Sequence, residues 1–141
     1  MALVALGGSF SLVGCTESKP SDFIPVTGRV TLDGRPLTSG SVSLRAAAGE
    51  TWHQPTGAIS GSDGEFVVYT NGLPGAPPGQ YRVIVFASEP ASDRGGAAHP
   101  GLPRSLVPRR YNDPKATPLQ LTVAPSPAPT RHDLEVLSHA Q

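Results

Sequence analysis

Residues 26–37 read Val-Thr-Gly-Arg-Val-Thr-Leu-Asp-Gly-Arg-Pro-Leu, and no other stretch constrains the fold of this chain as much. Val26, Gly28, Val30 and Leu32 share one face and Thr27, Arg29 and Thr31 the other, the period-2 alternation of a half-buried strand. Asp33-Gly34 then supplies a turn that reaches positive φ, and Pro36 has no N–H to extend a ladder, so the strand must reverse. The next apolar run, Val42 and Leu44 after Gly40, is its expected partner.

The same alternation recurs along the chain. Residues 41–45 and 56–60 read as strands two and three, and Gly61-Ser62-Asp63-Gly64 as a turn. Residues 65–70 form strand four, apolar on both faces and therefore interior. After a turn-rich connection at 71–79, residues 80–86 form strand five, with Tyr81, Val83 and Val85 on one face and Arg82, Ile84 and Phe86 on the other, which predicts a central position. Leu119, Leu121 and Val123 mark strand six; Leu134 and Val136 mark strand seven. Gly 16 and Pro 16 in 141 residues supply the punctuation between short strands, and no helix-period segment competes. The fold class expected is all-β: one domain, a seven-stranded antiparallel β-sandwich. Two stretches lack periodicity: residues 46–55, which hold Trp52 and His53, and a long loop at 88–117, which holds Arg94, Arg104, Arg109 and Arg110. Loops of that length in small domains are usually functional or disordered.

Lys+Arg 11 balances Asp+Glu 11, so no global field draws the chain to nucleic acid. The single cysteine, Cys15, excludes an internal disulfide. It follows an uncharged apolar segment ending Leu12-Val13-Gly14, too short to span a bilayer, and Leu-Val-Gly-Cys resembles a bacterial lipobox. On this reading residues 1–14 are a lipoprotein-type signal segment, Cys15 carries the lipid, 15–23 is a tether, and 24–138 is the folded domain. The location expected is the extracytoplasmic cell envelope, with the membrane reached through the acyl chains. The segment lacks the basic amino-terminal region of export signals, so either the start codon is misplaced downstream of the true one, which is the reading preferred, or the lipobox match is accidental.

Three stretches together resemble a known family: residues 26–37, Ser62-Asp63-Gly64-Glu65-Phe66, and Pro77-Pro78-Gly79-Gln80-Tyr81-Arg82-Val83. They are similar to carboxypeptidase regulatory-like, transthyretin-like (prealbumin-like) domains, in the order found in small predicted lipoproteins of planctomycete-type bacteria. Val107-Pro108-Arg109-Arg110-Tyr111-Asn112-Asp113-Pro114 resembles the late Pro-x-x-Tyr-x-Asp-Pro segment of those proteins. The resemblance covers about residues 26–136 and consists of turn chemistry; it implies a fold and no shared reaction.

Chemistry is sparse. The isopeptide bond of related adhesin repeats needs a strand lysine, and Lys19 and Lys115 lie outside the strands. The Tyr-Arg-Gly-Ser ending of transthyretin-like urate-pathway hydrolases has no counterpart in residues 137–141. His53, His99, His132 and His139 are scattered without ligand spacing, so neither a metal nor another cofactor is expected. Ser60, His53 and Asp63 carry no nucleophile-elbow motif, and no catalytic residue is assigned. Trp52 and His53 offer either a sugar-stacking platform or a cap on the core. Arg109 and Arg110, with Tyr111, offer either guanidinium groups for a partner or a dock for the long loop. The expected function is that of a non-enzymatic, lipid-anchored module that binds another envelope component, protein or glycan. A carbohydrate-binding accessory domain is the alternative, and a small hydrolase stands behind both.

Overall fold

The computed structural model of the chain describes residues 23–48, 53–89, 103–125 and 128–139. Ten strands lie in these stretches: β1 (Val26–Leu32), β2 (Arg35–Pro36), β3 (Gly40–Ala46), β4 (Thr56–Ser60), β5 (Glu65–Val67), β6 (Tyr69–Thr70), β7 (Leu73–Pro74), β8 (Gly79–Phe86), β9 (Gln120–Val123) and β10 (Thr130–Val136). The one helical element among the described residues is a short 3-10 turn at Arg109–Asn112. The protein is all-β.

Hydrogen bonds join seven strands into one path, β10-β1-β5-β4-β3-β8-β9, to which β2, β6 and β7 attach. The two ends of the path share one core. Leu134 and Val136 of β10, and Leu121 and Val123 of β9, belong to the same buried cluster as Val30, Phe66, Leu44 and Val83. Their inward residues follow from the period-2 rule: along β1, Val26, Gly28 and Val30 are buried while Thr27, Arg29 and Thr31 stay partly exposed. A twisted sheet whose terminal strands meet in one core is necessarily curled.

The Asp33-Gly34 turn forms as expected, with both residues at positive φ (49° and 81°), the signature of a tight hairpin turn whose twist matches its strands. β2 runs back along β1, Leu32 opposite Arg35 and Thr31 opposite Pro36, and beyond the proline the Leu37 N–H still bonds the Val30 carbonyl at 2.9 Å.

Four expectations need correction. Val42 and Leu44 do not partner the first strand: β3 pairs with β4 and β8. β1 instead lies between β10 and β5. The sheet is not wholly antiparallel, because β10 runs parallel to β1 from Val26↔Thr130 to Leu32↔Val136. Local alternation specifies which face of a strand is buried, but it carries no information about distant partners or their direction. Residues 65–70 are not one two-faced strand; β5 and β6 are separated at Val68, whose N–H bonds the Val26 carbonyl. Phe66, Val68 and Thr70 are buried, whereas Val67 and Tyr69 are 42% and 48% exposed. Finally, there are more than seven strands. Asn71-Gly72 within the 71–79 connection closes a further two-residue hairpin between β6 and β7, with φ of 51° and 81°.

The central position expected for residues 80–86 holds. β8 pairs with β3 on one side and β9 on the other, and Tyr81, Val83 and Val85 face the core. Two buried hydroxyls bond backbone carbonyls: Thr70 donates to the Gly75 carbonyl at 2.6 Å and Thr117 to the Val83 carbonyl, 34 residues away, at 2.8 Å.

Candidate functional site

The register of β3 and β8 sets where the two aperiodic loops leave the sheet. β3 ends at Ala46 opposite Tyr81, while β8 ends beside Phe86 opposite Ser41. The 46–55 loop therefore leaves one end of the sheet and the 88–117 loop leaves the other, about 20 Å away at ~3.3 Å per strand residue.

His53 lies at the first end. It is exposed, its ring meets Phe23 edge-to-face at 5.5 Å between centroids, and its Nδ1 is 3.3 Å from Asn71 Nδ2. It shares a shallow cleft of about 150 Å³ with Pro77, Pro78 and Gln80. Trp52 and Cys15 lie outside the described residues.

Arg109, Arg110 and Tyr111 lie at the opposite end. Tyr111 is 2% exposed, and its hydroxyl accepts the Leu137 N–H at 3.0 Å. Arg110 Nη2 donates to the Leu137 carbonyl at 2.8 Å and to the His139 carbonyl at 3.2 Å, with its guanidinium 4.8 Å from the Tyr111 ring centroid. Both side chains tie the long loop to the end of β10, which is the docking alternative; Arg109 remains exposed. The structure does not bring this segment together with His53.

A third region presents polar groups that sequence inspection did not single out. Arg45 of β3 and Arg82 of β8 are direct cross-strand partners, Arg82 also faces Gln120 of β9, and Gln80 faces Thr122. All five project outward, because Leu44, Tyr81, Leu121 and Val123 between them point into the core. A groove of about 270 Å³ runs among Ala47, Gln80, Arg82, Gln120 and Thr122. It adjoins the His53 cleft through Gln80 and Tyr81. The Tyr81 side chain lies on the core side: its hydroxyl donates to the Pro77 carbonyl at 2.7 Å, and burial pushes its pKa up, so it stays neutral. A larger, open groove of about 760 Å³ lies at the other end of β8, beside half-exposed Phe86 with Ser41, Ser88, Ser105, Glu89 and Asn112.

Among the described residues no three His, Cys, Asp or Glu side chains converge as metal ligands, and no helix is long and apolar enough to cross a membrane. The outward arginines are visible in sequence as polar members of alternating strands. Their juxtaposition needs the register. Comparison of the chain with protein-family models, with curated proteins and with solved structures finds no match in any of the three.

Proposed function

We propose that this protein is a non-enzymatic binding module of the bacterial cell envelope, a transthyretin-like β-sandwich held at the membrane through a lipid on Cys15. The observation that carries the binding role is the outer corner of β3, β8 and β9. There a rigid sheet, rather than a loop, presents the guanidinium of Arg82, two amides and a hydroxyl around one groove, with Arg45 beside Arg82 across the β3–β8 ladder. Side chains fixed on paired strands keep their spacing, which suits recognition. The lipobox-like Leu12-Val13-Gly14-Cys15 and the carboxypeptidase regulatory-like turn motifs supply the address and the fold assignment.

Carbohydrate binding is the second reading. It is favoured by the adjoining His53 cleft and by the amide and hydroxyl groups of Gln80, Gln120 and Thr122, which match the hydrogen-bonding needs of sugar hydroxyls.

The test is cross-linking in intact cells, affinity recovery of the full chain, and mass spectrometry of what accompanies it. An envelope protein or glycan recovered with a chain that begins at acylated Cys15 supports the assignment. An unacylated chain recovered from the cytoplasm without an envelope component overturns it.

A further inference from the structure

The two halves of the outer sheet surface differ in charge compensation. On β10, β1 and β5, Arg29 stands between Asp133 and Glu65 in register, and Arg131 lies 3.7 Å from Glu65 and 3.5 Å from Asp133. Every positive charge there has an acid beside it. On β3, β8 and β9 the residues of the face away from the core are Ser41, Ser43 and Arg45, then Gln80, Arg82, Ile84 and Phe86, then Gln120 and Thr122, of which Ser43 and Ile84 are themselves buried. No carboxylate is among them. In the nearby turn, Arg82 Nη1 donates to the Pro114 carbonyl at 3.4 Å, while the adjacent Asp113 carboxylate accepts the Lys115 N–H at 2.8 Å and forms no ion pair with Arg82.

Arg45 and Arg82 thus face each other as cross-strand partners, with Cβ atoms typically about 4.5–5.5 Å apart, and like charges in that position destabilise a sheet. Among the described residues neither has an ion-pair partner. Two planar guanidinium groups at this spacing match the oxygens of one carboxylate, sulfate or phosphate. Next to them Gln80, Gln120 and Thr122 offer neutral donors and acceptors along the groove.

We propose that Arg45 and Arg82 bind the acidic group of an anionic glycan, whose neighbouring hydroxyls are held by Gln80, Gln120 and Thr122. The inference rests on the binding-module reading and names its ligand class. A glycan fits better than a lipid surface. The patch holds two charges rather than a basic field, and of the exposed large apolar residues Val67, Tyr69 and Leu73 lie on β5–β7 and only Phe86 shares the face of β8, four residues beyond Arg82.

The test uses the isotope-labelled full chain. Sodium sulfate is titrated against sodium chloride at equal ionic strength while the Arg45 and Arg82 side-chain signals are followed by NMR. Polygalacturonate, uncharged dextran and phosphatidylglycerol vesicles are then compared as ligands. Sulfate-specific shifts at both arginines are expected, with polygalacturonate bound and dextran not. R45Q and R82Q should each weaken polygalacturonate binding about tenfold or more, and R131Q should leave it unchanged. Without anion, R45Q should raise the melting temperature by about 1–4 °C by removing the repulsion. Equal effects of sulfate and chloride, or equal loss in R131Q, overturn the site. Binding to the vesicles without binding to polygalacturonate overturns the glycan in favour of a membrane. Because Glu50 lies outside the described residues, E50Q is included: a loss of stability in E50Q that vanishes in the R45Q background would identify an internal counter-ion and also overturn the site. A cellular partner whose recovery is unaffected by R45Q and R82Q removes this inference and leaves the binding-module reading intact.

Discussion

The Phe66 ring rests on Gly28, its partner across the β1–β5 ladder: a Cβ built at position 28 would stand 2.6 Å from Phe66 Cζ and would overlap the His132 carbonyl on the neighbouring strand. Three strands, β10, β1 and β5, meet at that point, and the parallel pairing of β10 depends on the absence of a side chain. Gly28→Ala should therefore destabilise the fold at the upper end of the ~1–3 kcal/mol typical of overpacking, or beyond it, since a backbone carbonyl cannot rotate away. Urea unfolding followed by far-UV circular dichroism measures it; a change below 0.5 kcal/mol, roughly the level of a neutral surface substitution, would mean that β10 is not held as described.

Tyr111 joins the long loop to the end of β10 through its hydroxyl and its buried ring. Tyr111→Phe keeps the ring and leaves the Leu137 N–H without its acceptor, an expected cost of about 1 kcal/mol. Tyr111→Ala also empties the ring's volume, at about 3–5 kcal/mol. Hydrogen exchange at the Leu137 amide should accelerate in both variants. Unaltered exchange in Tyr111→Phe would show that the bond is not made in solution.

His132 points inward from β10 with its Nε2 buried and without a partner, and desolvation holds its pKa below the ordinary 6.5. The unfolded chain, titrating near 6.5, binds the proton more readily than the folded one, so stability falls as pH drops through 6.5 towards the folded pKa and levels off below it. His132→Gln should flatten that part of the stability profile, read by denaturant midpoints between about pH 4.5 and 7.5. A slope retained in the variant would assign the dependence to another group.

Asp33 acts in a lower window. Its exposed carboxylate is hydrogen-bonded by Ser138, including the backbone N–H at 2.9 Å, and these bonds, with a smaller contribution from His139, hold its pKa below 3.8. Its contribution to stability is present above 3.8 and is lost as pH falls through the folded value. Asp33→Asn tolerates the positive φ and removes the charge. Direct carboxyl NMR titration should show a depressed pKa in the wild type, and Ser138→Pro, which lacks the N–H, should return it towards the ordinary value.

Local chemistry was legible wherever it is decided by adjacent residues. The limits of β1 and β4, the core faces of β8 and β9, and the Asp33-Gly34 turn all follow from alternation and from residues that accept positive φ. The Asn71-Gly72 hairpin carries the same signal, masked by the surrounding prolines and glycines. Residues 65–70 misled because Val67 and Tyr69 are apolar yet outward: hydrophobicity marks what a strand tolerates on its surface as well as what it buries. The candidate residues His53, Arg109, Arg110 and Tyr111 stand out in the sequence as unusual side chains in loops, and the fold places His53 and the other three at opposite ends.

An all-β chain, and the inward and outward faces of most strands, follow from the order of residues alone, because a side-chain period of two is a property of the strand. That β10 returns parallel to β1, that β3 seats against β8, and hence that Arg45 meets Arg82, is fixed by the assembled sheet. Pairing between strands far apart in the chain is set by how their inward residues fill one shared core, and that complementarity exists only once the sheet has curled.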